Sequence, residues 1–107
     1  MSVRTLIDMP RRVRRGDSFE IRAMVGHPME TGYRRGSDGD RLPRDIITDF
    51  RCTFEGTPVF SARLYPAISS NPFLAFNFIA EKSGELVFSW EGDRGFKHSE
   101  RVALTVE

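Results

Sequence analysis

The sequence predicts an all-β protein, an immunoglobulin-like antiparallel β-sandwich of about seven strands, and three observations lead there. Apolar and polar residues alternate along most of the chain, whereas the three-to-four-residue spacing of an amphipathic helix is hard to find. Segments rich in Gly, Pro and Asp separate most of the alternating runs. A single tryptophan, Trp90, falls in phase with the apolar side of one run, as a central core residue does. A closed barrel gives the same period of two and is the alternative architecture.

The elements follow in order. Val3 to Ile7 reads as an N-terminal strand. Phe19, Ile21, Ala23 and Val25 share one face of the next, opposite Glu20, Arg22 and Met24. Ile46, Phe50, Cys52 and Phe54 do likewise, with Asp49, Arg51 and Glu55 pointing the other way. After "EGTP" (55–58) come Phe60, Ala62 and Leu64. Leu74, Phe76, Phe78 and Ala80 form a further strand, and past "KSG" (82–84) Leu86, Phe88 and Trp90 another. "EGDRG" (91–95) turns the chain, and Val102, Leu104 and Val106 make the last strand. No internal repeat stands out, and the one long polar insertion is "ETGYRRGSDGDRLPRD" (30–45).

At 107 residues the chain is a single domain, residues 1–107, because a split would leave pieces too small to hold a core. Sixteen basic and 15 acidic residues leave a net charge of +1, which argues against the positive field that nucleic acid or an anionic membrane requires. Arg11, Arg12, Arg14 and Arg15 suggest a twin-arginine export signal, but no apolar run follows them. Solvated charge on an edge strand or loop accounts for them. One cysteine, Cys52, excludes an internal disulfide.

Cys52 is the obvious nucleophile to suspect, and His27 and His98 are its only possible imidazole partners, which makes a thiol enzyme one reading. The phase of Cys52 with Phe50 and Phe54 instead puts its thiol in the core, where a thiolate is disfavoured. The two histidines have no Cys or His companion at ligand spacing, so no metal or other cofactor is expected. "SDGD" (37–40) lacks the remaining positions of a calcium loop, and Gly32, Gly36 and Gly39 do not open a helix as a phosphate cradle does. A free-standing sugar-binding or adhesion sandwich would need exposed coplanar aromatics, and only Tyr33 and Phe96 are placed to serve.

Two features lie outside this account. The run Phe73 to Ala80 is apolar on both faces, Phe73, Ala75 and Ile79 opposing Leu74, Phe76, Phe78 and Ala80, so its second face must be covered by the chain's own loops or by a partner. The segment "GHPMETG" (26–32) ends a strand abruptly and sets His27, Pro28 and Met29 on a loop.

The stretches "HPMETG", "IITDFRCTFEG", "FSARLYPAISSNPFLAF" and "GELVFSWEGDRG", in this order and over nearly the whole chain, resemble the SoxZ family, the small subunits of the SoxYZ carriers of bacterial sulfur oxidation. The resemblance implies an immunoglobulin-like sandwich with no catalytic residue of its own, paired with SoxY as a heterodimer, with a heterotetramer left open. SoxY's C-terminal Gly-Gly-Cys-Gly-Gly arm carries sulfur intermediates covalently during thiosulfate oxidation, while other Sox enzymes contact the carrier transiently. The sequence closes on "RVALTVE", with neither cysteine nor glycine, and is therefore not expected to be the arm-bearing subunit. The resemblance also implies the periplasm, reached by export together with SoxY. By analogy, His27, Pro28 and Met29 on one loop, and Tyr65, Pro66, Asn71, Pro72 and Phe73 on and after another, are expected at the partner interface or the base of the arm.

Overall fold

A computed structural model describes residues 3–66, 68 and 70–107. Its strands are β1 (Thr5–Asp8), β2 (Arg12–Val13), β3 (Ser18–Val25), β4 (Ile47–Phe54), β5 (Thr57–Arg63), β6 (Phe73–Ile79), β7 (Gly84–Gly92) and β8 (Lys97–Val106). They form two sheets, of order β1-β3-β6 and β2-β8-β7-β4-β5. Two separate sheets make this a sandwich of the immunoglobulin-like kind and exclude the barrel.

Side chains directly opposite each other in antiparallel strands emerge on the same face, so the alternation in the sequence becomes a layered core. Phe50 stands opposite Trp90 and Ala62, and Cys52 opposite Phe88 and Phe60. Ile21, Ala23 and Val25 of β3 and Phe76 of β6 meet them from the other sheet. The Phe50 ring lies 5.3 Å from Trp90 and 6.4 Å from Phe76, and so joins both sheets. Each such side chain, fully buried, contributes about 1.5–3 kcal/mol.

Three details depart from the sequence reading, and a fourth bears on a choice it left open. Among the described residues the strands number eight rather than seven, because Arg12–Val13 pairs with Thr105 and Val106, and this pair is parallel. The last strand begins at Lys97 rather than near Val102, since pairing with β7 carries it through the polar His98, Ser99 and Glu100. Ile46 and Ile47 are both buried although they are adjacent, because a register shift between Ile47 and Asp49 turns the chain there. Gly92 allows that close approach, since a Cβ on it would stand 2.5 Å from the Ile46 carbonyl oxygen. Finally, the outward face of β6 is not covered by the chain's own described loops: Phe73 and Ile79 are each 54% exposed.

The two sides of the sandwich differ. On one, the segment Thr5–Val13 leaves the small sheet as β1, bends at Arg11 and enters the large sheet as β2, so a single run of chain spans both layers. On the other, β5 and β6 end their sheets, with no strand beyond them among the described residues. The segment after Arg63 crosses between these two edges, which is why it is longer than a hairpin turn.

Candidate partner-docking surface

The loop after β3 and the segment entering β6 are brought together at one end of the sandwich. Asn71 donates its N–H to the His27 carbonyl at 2.6 Å and accepts the His27 N–H on its side-chain oxygen at 3.0 Å. Both Asn71 and Met29 adopt left-handed backbone conformations, with φ of 52° and 54°. Asn tolerates that region, whereas Met is held there by its contacts. The Met29 N–H donates to His27 Nδ1 at 2.9 Å, and Met29 Sδ accepts the Ile47 N–H at 3.2 Å. A ring nitrogen that accepts carries no proton, so neutral His27 holds its proton on Nε2, which faces Asp45 Oδ1 at 3.6 Å. Phe96 meets the imidazole edge to face at 5.0 Å.

His27, Met29 and Pro72 are therefore buried bracing groups, whereas Pro28, Tyr65, Asn71 and Phe73 are exposed and Pro66 is half-buried. The loop that sets an imidazole and a thioether beyond the end of β3 turns both inward, because each satisfies a backbone N–H that would otherwise be buried without a partner. The insertion 30–45 is anchored beside them. Arg44 donates to both oxygens of Asp93 at 2.8 and 2.9 Å, Asp93 also accepts the Ile46 N–H, and Glu30 bridges to Asp45 through paired backbone bonds.

On the outward face of the small sheet, register sets Leu6 beside Met24 and Met24 beside Phe73. This cross-strand apolar row has Leu6 59% and Phe73 54% exposed. The next row holds Asp8, Arg22 and Ala75. Arg22 pairs with Glu20 and sets its guanidinium 6.0 Å from the Phe73 ring centroid. One groove is lined by Leu6, Asp8, Arg22, Met24 and Phe73, and a second, lined in part by Arg4, Gly26 and Asn71, shares Leu6 and Met24 with it. The surface thus runs unbroken from the sheet to the loop end. Leu6 and Met24 escaped the sequence reading because each interrupts the apolar phase of its strand; only the register with Phe73 reveals them as neighbours.

The outward face of the large sheet differs: Arg63, Asp49, Glu91 and Lys97 form a charged row across it. "SDGD" is a turn, with the Gly39 N–H bonded to the Gly36 carbonyl and the Asp40 N–H to Asp38. Arg12 and Arg15 lie exposed and pair with Glu107 and Glu81. Tyr33 is exposed, but Phe96 packs on His27, so the two offer no coplanar platform. Cys52 is fully buried, and burial pushes its thiol up to about 12. His98 lies against the Trp90 ring and 3.3 Å from Glu100. Among the described residues no three His, Cys, Asp or Glu side chains converge as a metal site would require.

Comparison with known proteins completes the description. The superoxide reductase (neelaredoxin) from Ignicoccus hospitalis superposes with a TM-score of 0.77 at 22% identity, over 96% of this chain and 80% of that one. A putative superoxide reductase from Thermotoga maritima gives 0.69 at 14% identity, over 96% and 85%. The sulfur carrier protein SoxY from Chlorobium limicola f thiosulfatophilum gives 0.64 at 13% identity, over 97% and 74%. At these identities the likeness is one of fold. No curated protein sequence matches the chain. The model of the sulphur oxidation protein SoxZ, in contrast, matches residues 7–103, and the chain belongs to the SoxZ family.

Proposed function

We propose that this chain is the non-catalytic subunit of a SoxYZ carrier, in which SoxY contributes the cysteine arm that carries sulfur intermediates and this chain contributes fold, solubility and docking surface. The observation that carries the reading is the state of Cys52. The chain's only thiol is fully buried and its pKa is pushed up to about 12, which supports a carrier whose nucleophilic sulfur is supplied by another chain. The same argument disfavours the thiol enzyme.

The outward face of the small sheet supplies the partner surface. Its apolar row Leu6, Met24 and Phe73, flanked by Asp8, Arg22 and the loop carrying Tyr65, has the composition of an interface core with a polar rim. Its partner is SoxY, in a permanent heterodimer exported to the periplasm as a folded pair. Such an interface buries roughly 1,200–2,000 Å² or more. The test is expression of the chain with and without SoxY, followed by co-purification and mass measurement. A stable heterodimer is expected; a soluble monomer indifferent to SoxY overturns the reading.

A further inference from the structure

The sandwich is lopsided. Five strands form one sheet and three the other, whereas the smaller immunoglobulin constant domains set a four-stranded sheet against a three-stranded one. Strands lie about 4.8 Å apart, so the small sheet is too narrow to cover the inner face of β5. On the open side Phe54, Val59, Phe60, Leu74 and Phe78 pack against the core but are only partly buried, as Val3, Ile7, Val13 and Phe19 also are elsewhere. Phe54, Val59, Phe78 and Ile79, together with the polar Glu55, Thr57, Glu81 and Lys82, line a groove there, between the edges of β5 and β6.

The edges are not alike either. Natural sandwiches blunt exposed edges with short strands, charge, proline or bulges. β1 has four residues and β2 two. β5 carries Pro58, a register shift beside it and Arg63. β6 has none of these: Phe73–Ile79 is seven residues long, uncharged, free of proline and regular in its pairing with β3.

Its hydrogen-bonding groups are available. The Val25 N–H donates to the Pro72 carbonyl, in the register of the β3–β6 pair. Because successive residues of a strand direct their backbone groups to opposite sides, Leu74, Phe76 and Phe78 bond to β3, and Phe73, Ala75, Asn77 and Ile79 point outward. Among the described residues β6 pairs with no strand but β3.

We infer that the edge of β6 is a strand-addition site, at which an uncharged extended segment of the partner chain becomes the fourth strand of the small sheet. Backbone N–H and C=O groups set the pairing, and alternate apolar side chains of the added strand fill the groove beside Val59 and Phe78. This rests on the proposed pairing with SoxY. The superposition with the Chlorobium limicola SoxY covers 74% of that chain, which leaves a part of it outside the common sandwich to serve as the added strand.

The test is amide hydrogen exchange, residue by residue, on this chain alone and in its complex with SoxY. Ala75 and Asn77 amides should exchange fast in the free chain and slow by about tenfold or more in the complex, while Phe76 stays protected in both. Ala75→Pro removes an outward N–H at a place where an edge strand tolerates proline, and should weaken the complex about tenfold or more. Asn77→Lys, which adds a charge without touching the β3 pairing, should do the same if the proline variant fails to fold. A complex in which Ala75 and Asn77 exchange as fast as in the free chain overturns the strand addition and leaves the pairing with SoxY standing. Absence of any complex overturns both. Protection of these amides in the chain alone, in step with dimerisation, assigns the edge to a second copy and overturns the partner as occupant.

Discussion

Phe60 and Phe76 stack face to face, their ring centroids 4.4 Å apart and their planes within 1°. One belongs to β5 and the other to β6, so the stack joins the two sheets on the side where no strand crosses between them. Phe76→Ala should cost about 3–5 kcal/mol, the range for removing a large core aromatic. In a double-mutant cycle by urea denaturation the two rings should couple by about 0.5–1.5 kcal/mol. A coupling of zero would mean that the stack is coincident packing and not a tie.

The chemistry of Cys52 gives a second test. With the folded thiol pushed up to about 12 by burial, the unfolded chain loses its thiol proton first, at its ordinary value of about 8.5. This part of the stability is complete below the unfolded value and is lost as pH rises through the window up to about 12. Native protein should resist alkylation at neutral pH, and Cys52→Ala should flatten the alkaline decline in denaturation midpoint. Paired with SoxY, the folded Cys52→Ala protein should support thiosulfate oxidation nearly as well as the parent. Loss of turnover in a folded, partner-bound variant would return the thiol to the mechanism.

Asp93 titrates in the opposite sense. The hydrogen bond from Arg44 comes first among the causes that hold its carboxyl below the usual range. The resulting stabilisation is full above the unfolded value of about 3.9 and is lost as pH falls through the folded one. Asp93→Asn should therefore lower the melting temperature at pH 7, and the gap from the parent should close in acid, where both lack the carboxylate. A gap of constant size from neutral to acid pH would show that the side chain acts by shape and not by charge.

Phe73 should be the anchor of the proposed interface. Phe73→Ala is expected to weaken association with SoxY by about 2 kcal/mol or more, as central aromatic anchors do. Tyr65→Ala should cost less, because a side chain 61% exposed on a loop sits at a wet rim. Titration calorimetry or surface plasmon resonance on the two variants decides the placement. Normal affinity after Phe73→Ala would move the interface elsewhere on the molecule without disturbing the pairing.

Which of these features a reader could take from the sequence follows from how local their causes are. The burial of Phe50, Cys52, Phe88 and Trp90 was legible because a strand's period of two needs no knowledge of its neighbours. β2 was not, because a two-residue strand has no period; only the presence of β8 beside it makes it one. The inward turn of His27 and Met29 depends on backbone groups of Met29 and Ile47 that the chain brings there by folding. Phe73 stood out by composition alone, whereas its neighbours Leu6 and Met24 are joined to it only by register.

The strap formed by Thr5–Val13 also bears on how quickly the molecule assembles. Its closing contacts join distant parts of the chain: Thr5 Oγ1 donates to Glu100 at a separation of 95 residues, and Arg12 pairs with Glu107 at the same separation. The Thr105 N–H bonds to the Arg11 carbonyl and the Glu107 N–H to that of Val13, so β2 joins its sheet only once β8 is in place. Non-local pairing of this kind imposes a large loop-closure entropy before any reward, and such sandwiches refold in about milliseconds to seconds. Stopped-flow refolding should fall in that range, and a submillisecond phase carrying the full amplitude would mean that the strap does not govern the barrier.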